Sequence, residues 1–483
     1  MDSYRTTGRT TGRNAGQGSG GPAFSGGSLE SMNAEPLITR DYDSRPSLVY
    51  ERLRAKHGPV APVDILGVPF WLVLGYPQVL EVLRNQRGIW SKRLTDWRAW
   101  NDGRVPEDWP LRPAHAVNHI VFQEGDRLRD LRGAYHAALK PYQDAAHPQG
   151  RRLRAIITRY ADELIDVMSE GGPTGWADLS AQYARPLPLM VVGELLGVQS
   201  DGGDEILMDM WRVLDAGPDA AVALDRLLAA LADLAATKMA MPGEDLPSYM
   251  LAAHPGLTVD EMSRELMMMV GVTGDYTGVL IGNTVAEVIN ANPEVRASLS
   301  VGMIRETVNR VAMVNPPMAN LTFRCPSVDV RLGEVTIAAG EPVMLSVAAA
   351  HADPVFADGH GADAMFSSRA HLAWGAGPHD CLGRELATII VTIAISRLFE
   401  RFGALSLTLP ADQLPWRSSP LMRGLRSLPV RFEVAGPSRP AAGTAGAPGG
   451  GPAAAQGDPA RKPGTEPSRS ALWRFVRSLR RTK

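Results

Sequence analysis

One cysteine and the glycines around it carry the most specific chemistry in this sequence. Cys381 closes the run Trp374-Gly375-Ala376-Gly377-Pro378-His379-Asp380-Cys381, and Leu382-Gly383 follows. Gly and Pro crowd the stretch between Trp374 and Pro378, which excludes a helix there. After Cys381 the apolar pattern becomes helical through Phe399. The spacing predicts a Gly-rich loop that delivers a cysteine to the N-terminal end of a long helix. That place suits a thiolate, because a helix N-terminus favours negative charge and its free backbone N–H groups can donate to sulfur. Such donors would tune a metal bound to the sulfur. The plainer alternative is a buried, inert cysteine.

A second set of candidates is Asp275, Tyr276 and Thr277, an acid, a phenol and an alcohol side by side in ELMMMVGVTGDYTGVLIGNTVAEVINANPEV. A phenol can relay a proton, although it is bulky and weakly acidic. With Gly274 beside them, Asp275 and Thr277 can equally line a kinked helix.

These residues need elements to hold them. Helical spacing runs from Leu257 to Ala291, through RRLRAIITRYADELIDVMSEGG and through DAAVALDRLLAALADLAATKMA. Strand-like runs are fewer. PFWLVLGY is one, and VDVRLGEVTIAAGEPVMLSVAAA reads as a small antiparallel sheet with turns at Leu332-Gly333-Glu334 and Ala339-Gly340. The expected fold is mainly α with a small β-sheet region.

From Trp374 to Gly383 the chain resembles the heme signature of the cytochrome P450 family, Phe-Gly-x-Gly-x-His/Arg-x-Cys-x-Gly, with Trp374 in place of the Phe. The match continues through Leu386-Ala387. The resemblance implies heme b between a long central helix and the cysteine loop, with Cys381 as the iron ligand. It implies that His379 contacts a heme propionate. Gly375 and Gly377 would let the loop turn, Gly383 would let the helix approach a flat macrocycle, and Trp374 would shield the sulfur.

The resemblance covers most of residues 45 to 434. EGDRLRDLRGAYHAALKP is similar to the family's third lettered helix, where a His and, four residues on, an Arg bind propionates; here Gly125 stands at the His position and Arg129 is kept. NLTFRCPSVDVRLGEVTIAAGEPVML resembles the strands beneath the heme, and Arg324 matches a second propionate-binding arginine. Cys325 has no matching role and is taken as structural. Buried carboxylates need charge-assisted partners, so this set makes chemical sense.

Two departures stand out. The family's Glu-x-x-Arg helix reads Ile304-Arg305-Glu306-Thr307-Val308-Asn309-Arg310, with Thr307 three residues before Arg310. Glu306 is one residue off, which rotates it by about 100°, although it can still pair with Arg310 at i, i+4. The third member of that triad is also absent, with Gly361-Ala362 roughly where it should be. In this the chain resembles a small actinobacterial subgroup lacking the motif. The second departure is on the central helix, where the family carries an acid and an alcohol. Aligned from Pro293-Glu294, Tyr276 takes the acid's place and Thr277 the alcohol's. Aligned from Leu280-Ile281-Gly282-Asn283, Asp275 is the acid and Tyr276 the alcohol. The sequence does not choose.

Composition sets the frame. The chain has 483 residues, 45% of them hydrophobic, which is ample for a large core, and a formal charge of -2 argues against a general nucleic-acid binder. Two cysteines in unrelated contexts, Cys325 and Cys381, argue against a disulfide scaffold and fit a reducing compartment. No run of about 18 apolar residues reads as a membrane span, and the first residues lack the apolar core of a secretory signal. The expected organisation is a disordered segment over 1–40, the heme domain over 41–434, a Gly/Pro/Ala-rich linker over 435–467 and a basic tail over 468–483. The tail, SRSALWRFVRSLRRTK, has Leu472, Phe475, Val476 and Leu479 at helical spacing and six cations, a pattern that could meet anionic membrane or an acidic protein.

The resemblance implies a bacterial monooxygenase of secondary metabolism, in the cytoplasm or peripheral to the inner face of the membrane. It would oxidise a small hydrophobic or carrier-bound substrate with dioxygen, taking electrons from NAD(P)H through a ferredoxin reductase and a ferredoxin. Met267, Met268, Met269 and Val270 would border the substrate or pack the core. Two alternatives stay open: a heme-binding component of a membrane-associated regulatory assembly, and a peroxide-driven variant.

Overall fold

A computed structural model describes residues 28–435 apart from 113–114, 116, 199, 216–218, 291–302 and 358–369. The basic tail, nearly all of the linker, Gly361-Ala362 and Pro293-Glu294 therefore lie outside the described residues, as do residues 1–27. The expected disorder does not hold over residues 28–40: Leu29 and Leu37 are buried, and Glu35–Pro36 pairs in parallel with a strand at Val63 and Asp64.

The helices that build the site are α1 (Pro46–His57), α2 (Tyr76–Arg84), α3 (Gly125–Gln143), α4 (Pro148–Ser169), α5 (Val259–Gly271), α6 (Thr277–Asn290), α7 (Ile304–Val314) and α8 (Arg384–Arg401). The expected long helix from Leu257 is α5 and α6, joined by a one-turn π-type widening at Val272–Tyr276. Its start is fixed by a capping box, in which Thr258 Oγ1 accepts from Glu261 N–H and the Glu261 carboxylate accepts from Thr258 N–H. α8 buries Leu386, Ile389, Ile390, Val391, Ala394, Ile395 and Leu398. Each large side chain there contributes about 1.5–3 kcal/mol, which anchors the helix that follows the cysteine loop.

The strands are β1 (Glu35–Pro36), β2 (Val60–Ile65), β3 (Val68–Val73), β4 (Trp90–Ser91), β5 (Thr174–Asp178), β6 (Asn320–Pro326), β7 (Val330–Leu332), β8 (Val335–Ile337), β9 (Val343–Ser346), β10 (Phe402–Leu407) and β11 (Pro429–Val434). A mixed sheet runs β1-β2-β3-β9-β6-β4, and β10-β11-β5 form a second sheet. The expected sheet over residues 328–350 forms only in part. β7 and β8 pair around the Gly333 turn, but β9 leaves them to run parallel to β3 and antiparallel to β6. All four β9 residues are buried, so burial between two strands outweighs pairing with the nearest hairpin. The fold is mainly helical with small sheets, as expected.

Candidate functional site

The cysteine loop turns through two left-handed glycines, Gly375 (φ 71°) and Gly377 (φ 72°). Cys381 N–H donates to the Trp374 carbonyl at 2.8 Å, Gly375 N–H to Leu372 at 2.9 Å and Asp380 N–H to Gly377 at 3.1 Å. A Cβ on Gly377 would lie 2.3 Å from the Leu83 carbonyl, so only glycine lets the loop seat against α2. Trp374 and Leu382 are half-buried against the main core. From α3, Arg132 donates to the Asp380 carbonyl at 2.8 Å and pairs with its carboxylate.

Cys381 is exposed, yet it lies deep enough among protein atoms that burial pushes its thiol up to about 11, against the lowering effect of a Gly383 backbone hydrogen bond. Reachable from outside but surrounded by protein, the sulfur lines a recess. A Cβ built on Gly383 meets nothing within 4 Å, so the recess has room beside the sulfur for a flat ligand. A bound metal ion would reverse the thiol's preference, since a coordinating thiol is deprotonated. Cys325 is the opposite case, a fully buried thiol in β6.

Two basic side chains, Lys92 and Arg324, and the imidazole of His379 lie near Glu124. Arg324 of β6 and Lys92 beyond β4 are buried, 4% and 5% exposed. His379 donates towards Glu124 Oε1 at 3.3 Å, and that oxygen also accepts Lys92 N–H at 2.9 Å. Burial pushes Arg324 down to about 10 and His379 down to about 4. It pushes Lys92 well below the ordinary lysine range, helped by the neighbouring Arg324. Burial alone would raise Glu124, but His379, the Lys92 N–H and Arg324 outweigh it and hold the carboxyl low. Such crowding of buried positive groups around one acid calls for further anions. With the thiol recess and the open face at Gly383, the donor set fits a heme: sulfur for the metal, cations for its carboxylates. Arg129 has a side chain that is 75% exposed and pairs with Asp126 one helical turn back.

Asp275, Tyr276 and Thr277 lie at the end of the π-type turn and the start of α6. Asp275 is buried and bonded to Arg417, 3.0 Å to Oδ1 and 3.3 Å to Oδ2. Burial pushes the Tyr276 phenol far up, with Asp275 adding to it. Met269 and Val270 are core residues, while Met267 and Met268 are half-buried against the same cluster.

The altered triad region is rebuilt. Thr307 is buried and Glu306 exposed. Arg310 reaches Glu287 of α6 at 3.2 Å where the sequence suggested Glu306. Asn309 Oδ1 lies 2.9 Å from His371 Nε2. Leu372 N–H donates to His351 Nε2 at 2.7 Å, so His351 Nδ1–H donates to the Met313 carbonyl at 2.8 Å. Burial pushes His351 down to about 3, which keeps the ring neutral and fixes this tautomer. Histidines thus tie the end of α7 to the start of the cysteine loop. Lys92, Glu124, Arg417 and His351 carry no local signal in the sequence; each matters through partners at least 21 residues away.

The family description "Cytochrome P450" matches residues 314–430, starting where the altered helix α7 ends. The cytochrome P450 monooxygenase PikC of Streptomyces venezuelae is 32% identical over 82% of this chain and 93% of its own. The 6-deoxyerythronolide B hydroxylase of Saccharopolyspora erythraea is 28% identical over 80% of this chain and 95% of its own. Among solved structures, CYP154A1 from Streptomyces coelicolor A3(2) is 30% identical with a TM-score of 0.70, covering 82% of this chain and 98% of that one. Similarity along nearly the whole length of such relatives, joined to the cysteine loop, shows that this chain belongs to the cytochrome P450 family and is a heme-thiolate monooxygenase.

Proposed function

We propose that Cys381 would hold the iron of heme b through its sulfur, that Arg324 and His379 would bind its propionates, and that the chain oxidises a hydrophobic organic substrate. The setting of Cys381 carries this reading: a recessed sulfur beside an unfilled glycine face, flanked by buried cations. Bound there, heme would supply dioxygen activation, with one oxygen atom entering the substrate, the other leaving as water, and two electrons coming from NAD(P)H through a ferredoxin reductase and a ferredoxin.

The chain's own residues would do the rest. The Gly383 N–H and the backbone turn hold the sulfur in place. Arg417 engages both oxygens of Asp275, whereas Tyr276 and Thr277 have no hydrogen-bond partner among the described residues. That difference favours Tyr276 and Thr277 as the pair that orders water and passes protons, with Asp275 holding the helix turn. Tyr276 acts as a neutral relay, since burial opposes its ionisation. A relative named for hydroxylating 6-deoxyerythronolide B supports a small organic substrate.

The test is turnover of such compounds under isotopically labelled dioxygen with NAD(P)H and a surrogate ferredoxin and reductase. Product bearing one labelled oxygen is expected. Heme-loaded protein that gives no product would sink the oxygenase reading, and product from peroxide without reductase would favour the peroxide-driven one.

A further inference from the structure

The lysine at position 92 has no assigned role, and its surroundings ask for one. β4 pairs with β6 through Trp90↔Pro326 and Ser91↔Cys325. One further step of that antiparallel register sets Lys92 opposite Arg324. Two like charges directly across a sheet repel, and both of these are buried. Lys92 Nζ donates to Thr322 Oγ1 at 2.9 Å, and Arg324 donates to the carbonyl of the same Thr322 at 3.3 Å. Both cations thus lean on one neutral residue. Among the described residues, neither forms a salt bridge. An ammonium has three donors and this one uses a single acceptor. The nearest acid, Glu124, spends one carboxylate oxygen on the Lys92 backbone and His379.

We propose that Lys92 binds a heme propionate beside Arg324, supplying a buried cation where the α3 position Gly125 has no side chain to offer. The proposal rests on the heme reading given above. Gly125 has no side chain to offer, and Arg129 is 75% exposed on Asp126. Charge balance points the same way. Two propionates and Glu124 carry three negative charges, against which the buried Lys92 and Arg324 set two positive ones. Removing Lys92 leaves the buried site with excess negative charge, which costs most where water is excluded.

The test is the rate at which purified, heme-loaded protein surrenders heme to excess apomyoglobin, with the reduction potential measured on the same samples. Lys92→Met is expected to release heme about tenfold faster, the worth of a lost charge-assisted hydrogen bond. Its potential should fall, because a positive charge near the iron favours the reduced state. Lys92→Arg should keep both near wild type, which a lysine needed only for packing would not predict. If Lys92→Met does not accumulate, Lys92→Gln carries the same expectation while retaining a donor to Thr322. A wild-type release rate and potential in the charge-removing variants overturns the proposal. The carbon monoxide band separates the two levels: wild type lacking the thiolate band removes the heme reading and the lysine's role together, whereas a normal band with unchanged release removes the lysine's role alone.

Discussion

Arg417 reaches within 3.0 Å of Asp275 Oδ1 and joins the loop before β11 to the widened turn of the central helix. Both side chains are largely buried, 17% and 7% exposed. Breaking a buried pair strands a charge, which costs about 3–5 kcal/mol, whereas replacing both partners costs much less. Arg417→Met should therefore destabilise the protein more than the double variant Arg417→Met/Asp275→Asn. Chemical denaturation of the three proteins checks the order.

The free hydroxyls of Tyr276 and Thr277 imply a different outcome for function. Thr277→Ala should lower the product formed per electron consumed by about tenfold or more, with the electrons appearing as peroxide, because a positioned proton carrier is typically worth 10²–10⁴. Tyr276→Phe should do so more mildly. Both variants should keep the heme spectrum. Measured NAD(P)H consumption, product and peroxide decide this; full coupling in Thr277→Ala would return the role to Asp275.

Glu265 of α5 accepts Ile120 N–H at 2.9 Å and Tyr135 Oη–H at 3.1 Å. Burial pushes its carboxyl up to about 7, against those two hydrogen bonds. A raised acid is neutral in the fold below that value. Its ionisation therefore costs nothing below the unfolded-state pKa near 4.5 and costs the full amount above about 7. Between pH 5 and 8 the wild type should lose on the order of 3 kcal/mol that Glu265→Gln does not lose. Unfolding of both proteins across that range is the measurement, and parallel curves would contradict it.

His351 spans two buried backbone groups, Leu372 N–H and the Met313 carbonyl. His351→Phe leaves both without a partner, at about 1–3 kcal/mol each. Because Leu372 opens the cysteine loop, the variant should also release heme faster. Thermal melts and heme-transfer rates read the two effects.

How far the sequence reveals this depends on whether a feature is local. The cysteine loop is legible because its glycines, its cysteine and the following helix lie within 28 residues of chain, and each type has a local physical reason. The central helix is legible by its period, although not its π-type turn, within which Gly274 and Asp275 are buried. β9 reads as part of a hairpin because Ala339-Gly340 is a turn signal, yet its buried residues join a distant strand. Lys92, Arg324 and Glu124 illustrate the rest. Nothing local distinguishes a buried lysine from a solvated one, and Arg129, carried over by resemblance, sits on the surface with Asp126.

The most direct measurement is the carbon monoxide difference spectrum of the reduced, purified protein, repeated on Cys381→Ala. The expected result is a Soret band at the red-shifted thiolate position, lost in the variant. No heme, or a histidine-like band that the substitution leaves untouched, would contradict the placement of Cys381 at the iron.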